Sequence, residues 1–518
     1  MNFSGFLGRR SGKASSSLEL QGELHEKRKA ANKELLAVDL FCHLTYLAAV
    51  ASSRLPRHVL FDYAASLPLT SARYFKSVNF LTQRLSYDFP EACRKVGDAT
   101  PESEPKAVFL RMANSLASGE EESEFLIREA KAMGQTYADY YERTIDNLKK
   151  WTDAYTALIL SGSLIVVVCV VSMLIFPMSA SLVTLLTLIM LMSVLLGGWL
   201  LYRTSPKEIK THSLQYKSAE QRIAGYLFKF AIPLAFVILV FLLFVFKANA
   251  GFSMIVAAAL MVPVGFIMVL DDRNIDKRDN DIAGFLRTLG GVSKAIGTTV
   301  TEALGRLDFN ALHSLKKGVQ KLNASLRFGV SPALCWLKFV GETGSESINR
   351  SVRIFYDGIS LGGDPEVVGS QCSNFAMRVA MLRAKRNMVA SGFSYLCIIM
   401  HGTIVLLLVG IYQIMVMFSQ AMQNIGGAET GGMEALSGLP AFQMAYQSGM
   451  LNTLNIMTMI MIMVLTIVNA VAIKVVEGGH NYKFLFYVGI TLGLSGACLL
   501  FVPGMIAGMF SSVATIGP

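Results

Sequence analysis

The amino-acid sequence predicts an all-α polytopic membrane protein with about seven transmembrane helices and two cytoplasmic helical-bundle modules. Of the 518 residues, 53% are hydrophobic and only 16% are charged, and the mean hydropathy is +0.47. A soluble protein surface rarely tolerates this balance. Long apolar runs alternate with polar segments, and the basic residues concentrate in the segments that fall on one side of these runs.

Seven apolar runs are each long enough to cross a hydrocarbon core of about 30 Å. The connections after the first and third runs are too short for anything but turns, so the first four spans form two hairpins with both tips on one side of the membrane. The predicted spans are residues 154–176, 180–202, 226–246, 251–270, 388–418, 451–473 and 484–510.

The distribution of Lys and Arg orients these spans, because cytoplasmic loops retain positive charge. The loop 203–225 is rich in Lys and Arg, whereas residues 419–450 and 511–518 contain neither. This predicts a multi-pass protein of the cell membrane with a cytoplasmic N-terminus and an external C-terminus. The net charge of +10 then follows largely from topology, and nucleic acid is not an expected partner. An acidic protein or anionic lipid head groups remain the alternative explanation of the charge.

The polar segments before the first span and between the fourth and fifth spans are predicted to be helical bundles. Phe109, Met112, Ala113 and Leu116 follow the spacing of one helix face. The predicted organisation is a cytoplasmic tail (1–38), a first module (39–153), four spans (154–270), a second module (271–387), three spans (388–510) with a Gly-rich external loop (419–450), and an external tail (511–518).

Turn signals recur in the same order in both modules, which indicates an internal duplication. The segment Ser118-Gly119-Glu120 superposes on Gly362-Gly363-Asp364 in this interpretation, and in both places an acidic residue follows a small-residue turn and opens a helix. Chance similarity between two amphipathic bundles is the alternative.

The same turns carry a resemblance to the type II secretion system F-domain proteins, the platform proteins of type IV pilus-like machines. The sequence departs from the family pattern at Glu120, where Gly is usual, and at Glu122, where Leu is usual, and the second module has Pro365 after its turn. Two modules on one chain look most like the archaeal, archaellum-type members, which correspond to a fusion of two bacterial proteins. The matching segments are Phe89-Pro90-Glu91-Ala92, Thr100-Pro101, the turn from Ser118 to Phe125-Leu126, Tyr140-Tyr141-Glu142 and Asp153-Ala154-Tyr155.

The resemblance implies a function without covalent chemistry. In such machines a cytoplasmic hexameric secretion ATPase docks on the modules, and pilin-like or archaellin-like subunits are lifted from the bilayer into a filament. A homodimer would be compatible with the symmetry of the ATPase. Membrane lipids are also expected partners.

The sequence contains no signature of an enzyme. We find no G-x-x-x-x-G-K-[ST] phosphate loop, no H-E-x-x-H and no G-x-S-x-G. The seven cysteines are scattered, and the histidines have no second ligand at metal-site spacing. We therefore predict no catalytic, cofactor-binding or metal-binding residues.

Two charged clusters are predicted as candidates for docking the partner, although such clusters are more often solvated faces. Charge reversal at Arg383, Lys385 and Arg386 is expected to weaken ATPase binding and to leave membrane insertion intact. The acidic candidates are Glu120, Glu121, Glu122 and Glu124, and the basic ones are Lys207, Lys210, Lys217, Arg383, Lys385 and Arg386.

The spans contain one ionisable residue that stands out, His401. A neutral imidazole hydrogen-bonded between helices is favoured over a proton relay, because none of the predicted spans contains Asp or Glu. Small residues spaced by four positions permit close helix approach in the last span, within the chain first and in a dimer second. These glycines are Gly489, Gly493, Gly504 and Gly508.

Two other classes of protein fit part of this pattern. A secondary transporter also has many spans and internal repeats, but large cytoplasmic modules and the lack of charged residues in the bilayer oppose it. A membrane receptor or scaffold without a filament is the third possibility.

Overall fold

A computed structural model describes residues 35–172, 180–214, 216–244, 249–428 and 448–514. Several predicted segments therefore lie wholly or partly outside the described residues: most of the cytoplasmic tail (1–38), the hairpin tips, most of the external loop (419–450) and the end of the external tail (511–518). Within the described ranges the ordered elements are helices, apart from one isolated bridge between Thr211 and Ser345.

We number the α-helices α1 to α16 in chain order. Two short 3₁₀ helices, Phe309–Ala311 and Asn481–Lys483, lie between them. The α-helices are α1 Leu35–Ala51, α2 Arg57–Ser66, α3 Ala72–Leu85, α4 Phe89–Ala99, α5 Ser103–Ser118, α6 Glu122–Ser172, α7 Ala180–Thr204, α8 Ala219–Phe244, α9 Ala250–Ile296, α10 Val300–Gly305, α11 Lys316–Arg327, α12 Pro332–Thr343, α13 Glu346–Ser360, α14 Pro365–Ala428, α15 Ser448–Glu477 and α16 Phe484–Ala514.

Six of these helices are long and apolar enough to cross a membrane: α6, α7, α9, α14, α15 and α16. They contain five of the seven predicted spans and the described part, 154–172, of a sixth, so the prediction of an all-α polytopic membrane protein is confirmed. The remaining predicted span, 226–246, falls on α8 and runs past the described residues at its end.

The chain divides into two compact units. The first contains the described residues of Met1–Tyr141, Lys207–Tyr216 and Asp276–Leu382, and the second contains those of Glu142–Pro206, Lys217–Ile275 and Arg383–Pro518. Both predicted modules therefore contribute to the first unit. Helices α6, α9 and α14 each contribute residues to both units.

The helix order of the first unit supports an internal duplication. Helices α2 to α6 have counterparts α10 to α14, and four of the five begin 243 residues before their counterparts. The pair α3 and α11 differs by 244 residues. The four pairs with the common offset begin at Arg57 and Val300, Phe89 and Pro332, Ser103 and Glu346, and Glu122 and Pro365.

Left-handed backbone positions repeat with the same offset. Arg54, Ser86 and Gly119 have positive φ, and Gly297, Gly329 and Gly362 have positive φ at the equivalent turns. Six turns of matching geometry at one spacing are hard to reconcile with chance similarity of two bundles. The alignment made from sequence, which placed Gly119 on Gly363, is one residue out, because Gly119 and Gly362 are the residues that adopt the left-handed conformation.

Helix α1 forms the centre of the first unit. It is apolar on nearly all sides, and its residues 39–50 are buried, so it packs against helices of both modules. The Phe41 ring lies 5.0 Å from the Phe375 ring of α14 and 6.1 Å from the Tyr137 ring of α6. A buried ion pair adds specificity, because Arg350 Nη1 of α13 lies 2.7 Å from Asp39 Oδ1.

The second unit packs its long helices around an apolar core. The buried core includes Ile159 of α6, Val194 of α7, Ile404 of α14, Leu465 of α15 and Tyr487 of α16. Helix α16 also approaches α9 closely at Gly265 and Gly489.

Candidate docking surfaces and the membrane core

The acidic cluster lies at the α5–α6 turn, where two of its four carboxylates are engaged within the unit. Glu120 accepts a hydrogen bond of 2.7 Å from Ser115 Oγ and pairs with Arg128. These two partners lower the pKa of Glu120. Glu122 pairs with Arg57 of α2. Glu121 and Glu124 are exposed.

The basic loop between α7 and α8 is partly built into the first unit. Lys210 is buried, and its Nζ lies 2.7 Å from Asp276 Oδ1. The Lys210 carbonyl also accepts a 2.9 Å hydrogen bond from Glu346 N at the start of α13. Thr211 forms the isolated bridge with Ser345. We call residues 207–214 and 216 the strap.

The strap continues along α12, where a glycine permits the approach. A Cβ on Gly341 would stand 2.3 Å from the Cβ of Tyr216. At the other end of the strap, Glu208 Oε2 accepts a 2.9 Å hydrogen bond from the Tyr141 hydroxyl. The sequence did not predict that the strap packs on the first unit. A non-helical segment held by contacts distant along the chain shows no periodic spacing of apolar residues. Lys207 is exposed, and so is Lys217, which follows the strap in the second unit.

The three basic candidates of α14 have different environments within the second unit. Arg386 is buried, and its guanidinium donates to the carbonyls of Val475, Val476 and Pro206 at 3.1 Å each. Arg383 is also buried. Lys385 is half-exposed, with its Nζ 3.3 Å from Glu142 Oε2.

A buried ionic cluster that sequence analysis missed lies at the α15–α16 connection. Lys483 Nζ lies 2.9 Å from Asp272 Oδ2 of α9 and 2.6 Å from Glu477 Oε2. Glu477 also accepts hydrogen bonds from the hydroxyls of Ser394 and Tyr487, at 2.9 and 2.5 Å. A buried ionic cluster stabilises one specific arrangement of helices only when its charges are paired. The Lys483 ammonium group meets this condition, because it pairs with two carboxylates. It fixes the connection to α9 and α14 within the second unit.

His401 lies at the centre of a buried polar network in the second unit. Its Nε2 is 2.9 Å from Ser495 Oγ and 3.2 Å from Thr491 O, and its Nδ1 is 3.2 Å from Asn469 Nδ2. An amide nitrogen only donates, so Nδ1 accepts and the proton is on Nε2. The Asn469 carbonyl oxygen accepts from the Tyr155 hydroxyl at 2.8 Å. The geometry is that of a neutral imidazole joining four helices.

The four helix-packing glycines differ in their surroundings. A Cβ on Gly489 would stand 2.6 Å from Val262 Cγ2 of α9, and one on Gly493 would stand 3.5 Å from Ala258 Cβ. A Cβ on Gly504 or Gly508 would meet no heavy atom of the described chain within 4 Å.

No group of three or more His, Cys, Asp or Glu side chains with metal-binding geometry occurs among the residues that the structure describes. The charged and polar clusters above are ion pairs and hydrogen-bond networks that position helices. What they can do chemically is hold helices in place and present surfaces to partners.

The fold and these clusters define the class: an all-α polytopic membrane protein with a duplicated helical module outside its spans. The chain is 24% identical to the Flagella accessory protein J of Methanocaldococcus jannaschii over 439 residues, which cover 80% of this chain and 74% of that protein. It is 24% identical to the Flagella accessory protein J of Methanococcus voltae over 302 residues, 56% of this chain and 54% of that protein. These relatives confirm the predicted resemblance to archaellum-type platform proteins.

No family model matches the chain, and no solved structure matches it.

Proposed function

We propose that this protein is the membrane platform of a type IV pilus-like assembly machine of the archaellum type. It is similar along 80% of its length to a flagella accessory protein, and this observation carries the proposal. The protein couples a cytoplasmic hexameric secretion ATPase to the transfer of pilin-like subunits from the bilayer into a filament. It is not an enzyme itself.

The duplicated unit supports a transmitting role. In each module the last helix, α6 or α14, is continuous with a predicted membrane span, and α9 leads from a span into the second module. These continuous helices are the covalent connection between module and span that a transmitting role requires. The positive-inside distribution supports a cytoplasmic location of the modules, where an ATPase can reach them.

Co-purification tests the proposal. The tagged full-length chain is solubilised from its native membrane, and bound proteins are identified by mass spectrometry. The expected result is recovery of a hexameric secretion ATPase together with pilin-like subunits, which an unrelated polytopic protein with the same tag does not recover.

The full-length chain is needed because both modules share one unit, so deleting one would expose the core around α1. Reproducible recovery of neither an ATPase nor a filament subunit would overturn the proposal. Solute uptake by proteoliposomes that contain this chain alone would instead favour a secondary transporter.

A further inference from the structure

The α11–α12 connection of the second module presents a group of exposed apolar side chains. Phe328 is 87% exposed, the most of any large hydrophobic side chain in the described chain. Val330, Leu334 and Leu337 are 41%, 47% and 42% exposed. We call these four residues the apolar turn. Single exposed apolar residues are ordinary, but a contiguous group marks a binding surface.

Local geometry places these side chains at the surface of one connection and the first turns of α12. Phe328 caps α11, Gly329 reverses the chain with φ of 75°, and α12 begins with Pro332 in its first turn. Leu334 and Leu337 lie three residues apart on α12, so they share its outer face. The Val330 carbonyl lies 3.7 Å from Cys335 Sγ, which places Val330 over the first turn of α12.

The duplication supplies an internal control for this surface. The equivalent turn of the first module joins α3 to α4, with Ser86 in the position of Gly329. With the offset of 243 residues, Glu91 and Arg94 stand where the second module has Leu334 and Leu337, and all four are exposed. The turn therefore folds with charged residues at these positions, and the fold does not require exposed leucines there.

The charge around the apolar turn is mostly positive. Residues 309–341 contain five Lys and Arg and no Asp or Glu, whereas the equivalent residues 66–98 contain five Lys and Arg and three Asp and Glu. Glu342 lies just beyond this stretch and pairs with Lys321 at 3.0 Å. Arg327 is adjacent to Phe328, and Lys338 lies four residues after Leu334; both are exposed. An apolar centre with a cationic rim matches a partner with an apolar recess and an acidic rim.

We propose that the apolar turn is the site where an acidic face of the cytoplasmic secretion ATPase docks, with Phe328 as its central anchor. This inference rests on the proposed function and names the surface within it. Aromatic residues at the centre of an interface carry much of the binding free energy, and cations at the rim speed association. The docking surface is then confined to the second module.

A cationic rim is also suited to binding an anionic membrane surface, which is the alternative occupant of the apolar turn. Interfacial binding uses an apolar stripe along a helix of several turns. Here the apolar side chains are confined to one connection and the first turns of α12, while the outer face of α11 carries Gln320 and Lys321. The compact shape favours a protein recess over a lipid layer.

The test compares two variants of the full-length chain with a matched control. Phe328→Ser removes the anchor, and the double variant Leu334→Glu, Leu337→Arg gives the second module the residues of the first. Leu85→Ser is the control, because Leu85 is 53% exposed at the position equivalent to Phe328. Each purified chain in nanodiscs is titrated with the ATPase that the wild-type chain recovers.

We expect both variants to bind the ATPase at least about tenfold more weakly, and Leu85→Ser to bind within about twofold of wild type. Wild-type binding should weaken as salt is raised, because the rim is exposed to solvent. Thermal unfolding of all variants within a few degrees of wild type shows that the fold is intact. Unchanged binding by both variants overturns this inference and leaves the proposed function standing, whereas failure of the wild-type chain to bind any ATPase counts against the proposed function.

A second measurement separates the two occupants. A Ser331→Cys variant, which keeps Phe328 and places the thiol at an exposed position of the same connection, is labelled with a membrane-impermeant maleimide in nanodiscs of phosphatidylcholine, with and without phosphatidylglycerol. Labelling should be equal in both lipids and should fall when the ATPase is added. Protection by phosphatidylglycerol alone would assign the apolar turn to the membrane and overturn the proposal.

Discussion

Gly341 and Tyr216 pack so closely that a Cβ on Gly341 would stand 2.3 Å from the Tyr216 Cβ. The next atoms in its path belong to the backbone of Tyr216, at 3.1 Å for the carbonyl oxygen. A flexible side-chain end could turn aside, but a Cβ and backbone cannot, so the strap must move if Gly341 gains a side chain. The equivalent residue of the first module, Asp98, is exposed.

Gly341→Ala is therefore expected to release the strap without unfolding α12. Alanine favours the helix by about 0.5–1 kcal/mol, whereas the forced displacement costs roughly 1–3 kcal/mol. The strap contains Lys210, which is buried in the wild-type chain. Limited trypsin digestion should cleave after Lys210 faster in the variant.

Gly284→Ala is the matched control for this digestion, because a Cβ on Gly284 of α9 would meet no atom within 4 Å. Its cleavage pattern should equal that of the wild-type chain. If Gly341→Ala also digests like wild type, the strap is not held in the way that we describe.

The His43 side chain makes the first unit sensitive to pH. Burial lowers the pKa of the imidazole to about 3, from an ordinary value of 6.5. As pH falls below 6.5 the unfolded chain binds a proton that the folded chain does not bind until about pH 3, so stability decreases with falling pH between these values. The loss is about 1.4 kcal/mol per pH unit.

His43→Phe is expected to remove this contribution. The ring stacks on Phe75 with centroids 4.1 Å apart, and its Nδ1 lies 2.9 Å from Ser71 Oγ. A phenylalanine can keep the stacking but not the hydrogen bond. Thermal unfolding from pH 7.5 to 4.5 should show a steeper fall of Tm in the wild-type chain than in the variant. Parallel curves would mean that His43 does not titrate as we infer.

The sequence predicted the features that depend on hydrophobic composition and on repeated spacing along the chain. Apolar length identified the spans, and the recurring turn at Gly119 and Gly362 indicated the duplication. The register of the repeat was one residue out because small residues occur in succession at Gly362-Gly363, and only the backbone dihedral angle identifies the one that reverses the chain.

The distribution of charged residues along the sequence predicted less well which side chains are exposed to solvent. Lys210 and Arg386 look like solvated residues of basic loops in the sequence, yet both are buried and paired with groups distant along the chain. Such pairing depends on tertiary contacts with Asp276 and with the carbonyl of Val476, which have no local signature. We therefore leave both residues out of the docking surface, and the apolar turn at Phe328 takes their place.

Gly265 holds α9 against the start of α16 and was not among the predicted packing glycines. A Cβ at this position would stand 2.1 Å from the backbone nitrogen of Phe486. Gly265→Ala is expected to lower stability by roughly 1–3 kcal/mol, because backbone atoms must separate. Gly504→Ala should be neutral to about 0.5 kcal/mol, since a Cβ there meets no described atom. Thermal unfolding of the solubilised chains measures the difference, and equal Tm values would contradict the close packing of these helices.

His401 provides the test between a structural imidazole and a proton relay. Its two nitrogens are engaged by Asn469 on one side and Ser495 on the other. His401→Gln retains one donor and one acceptor, so the filament assembly that the proposed function implies, and its pH dependence, should stay close to wild type. His401→Leu leaves the polar partners unsatisfied and should lower stability by roughly 0.6–1.7 kcal/mol, the range for hydrogen bonds between membrane helices.

The two variants are compared by thermal unfolding and by counting filaments on cells that express each chain. A relay needs a group that gains and loses a proton, and an amide cannot do so within the physiological range. If His401→Gln unfolds at the wild-type temperature but assembles no filaments, the imidazole has a role in proton transfer. Retained assembly in His401→Gln with a lower Tm in His401→Leu would assign His401 to the packing of the four helices that its network joins.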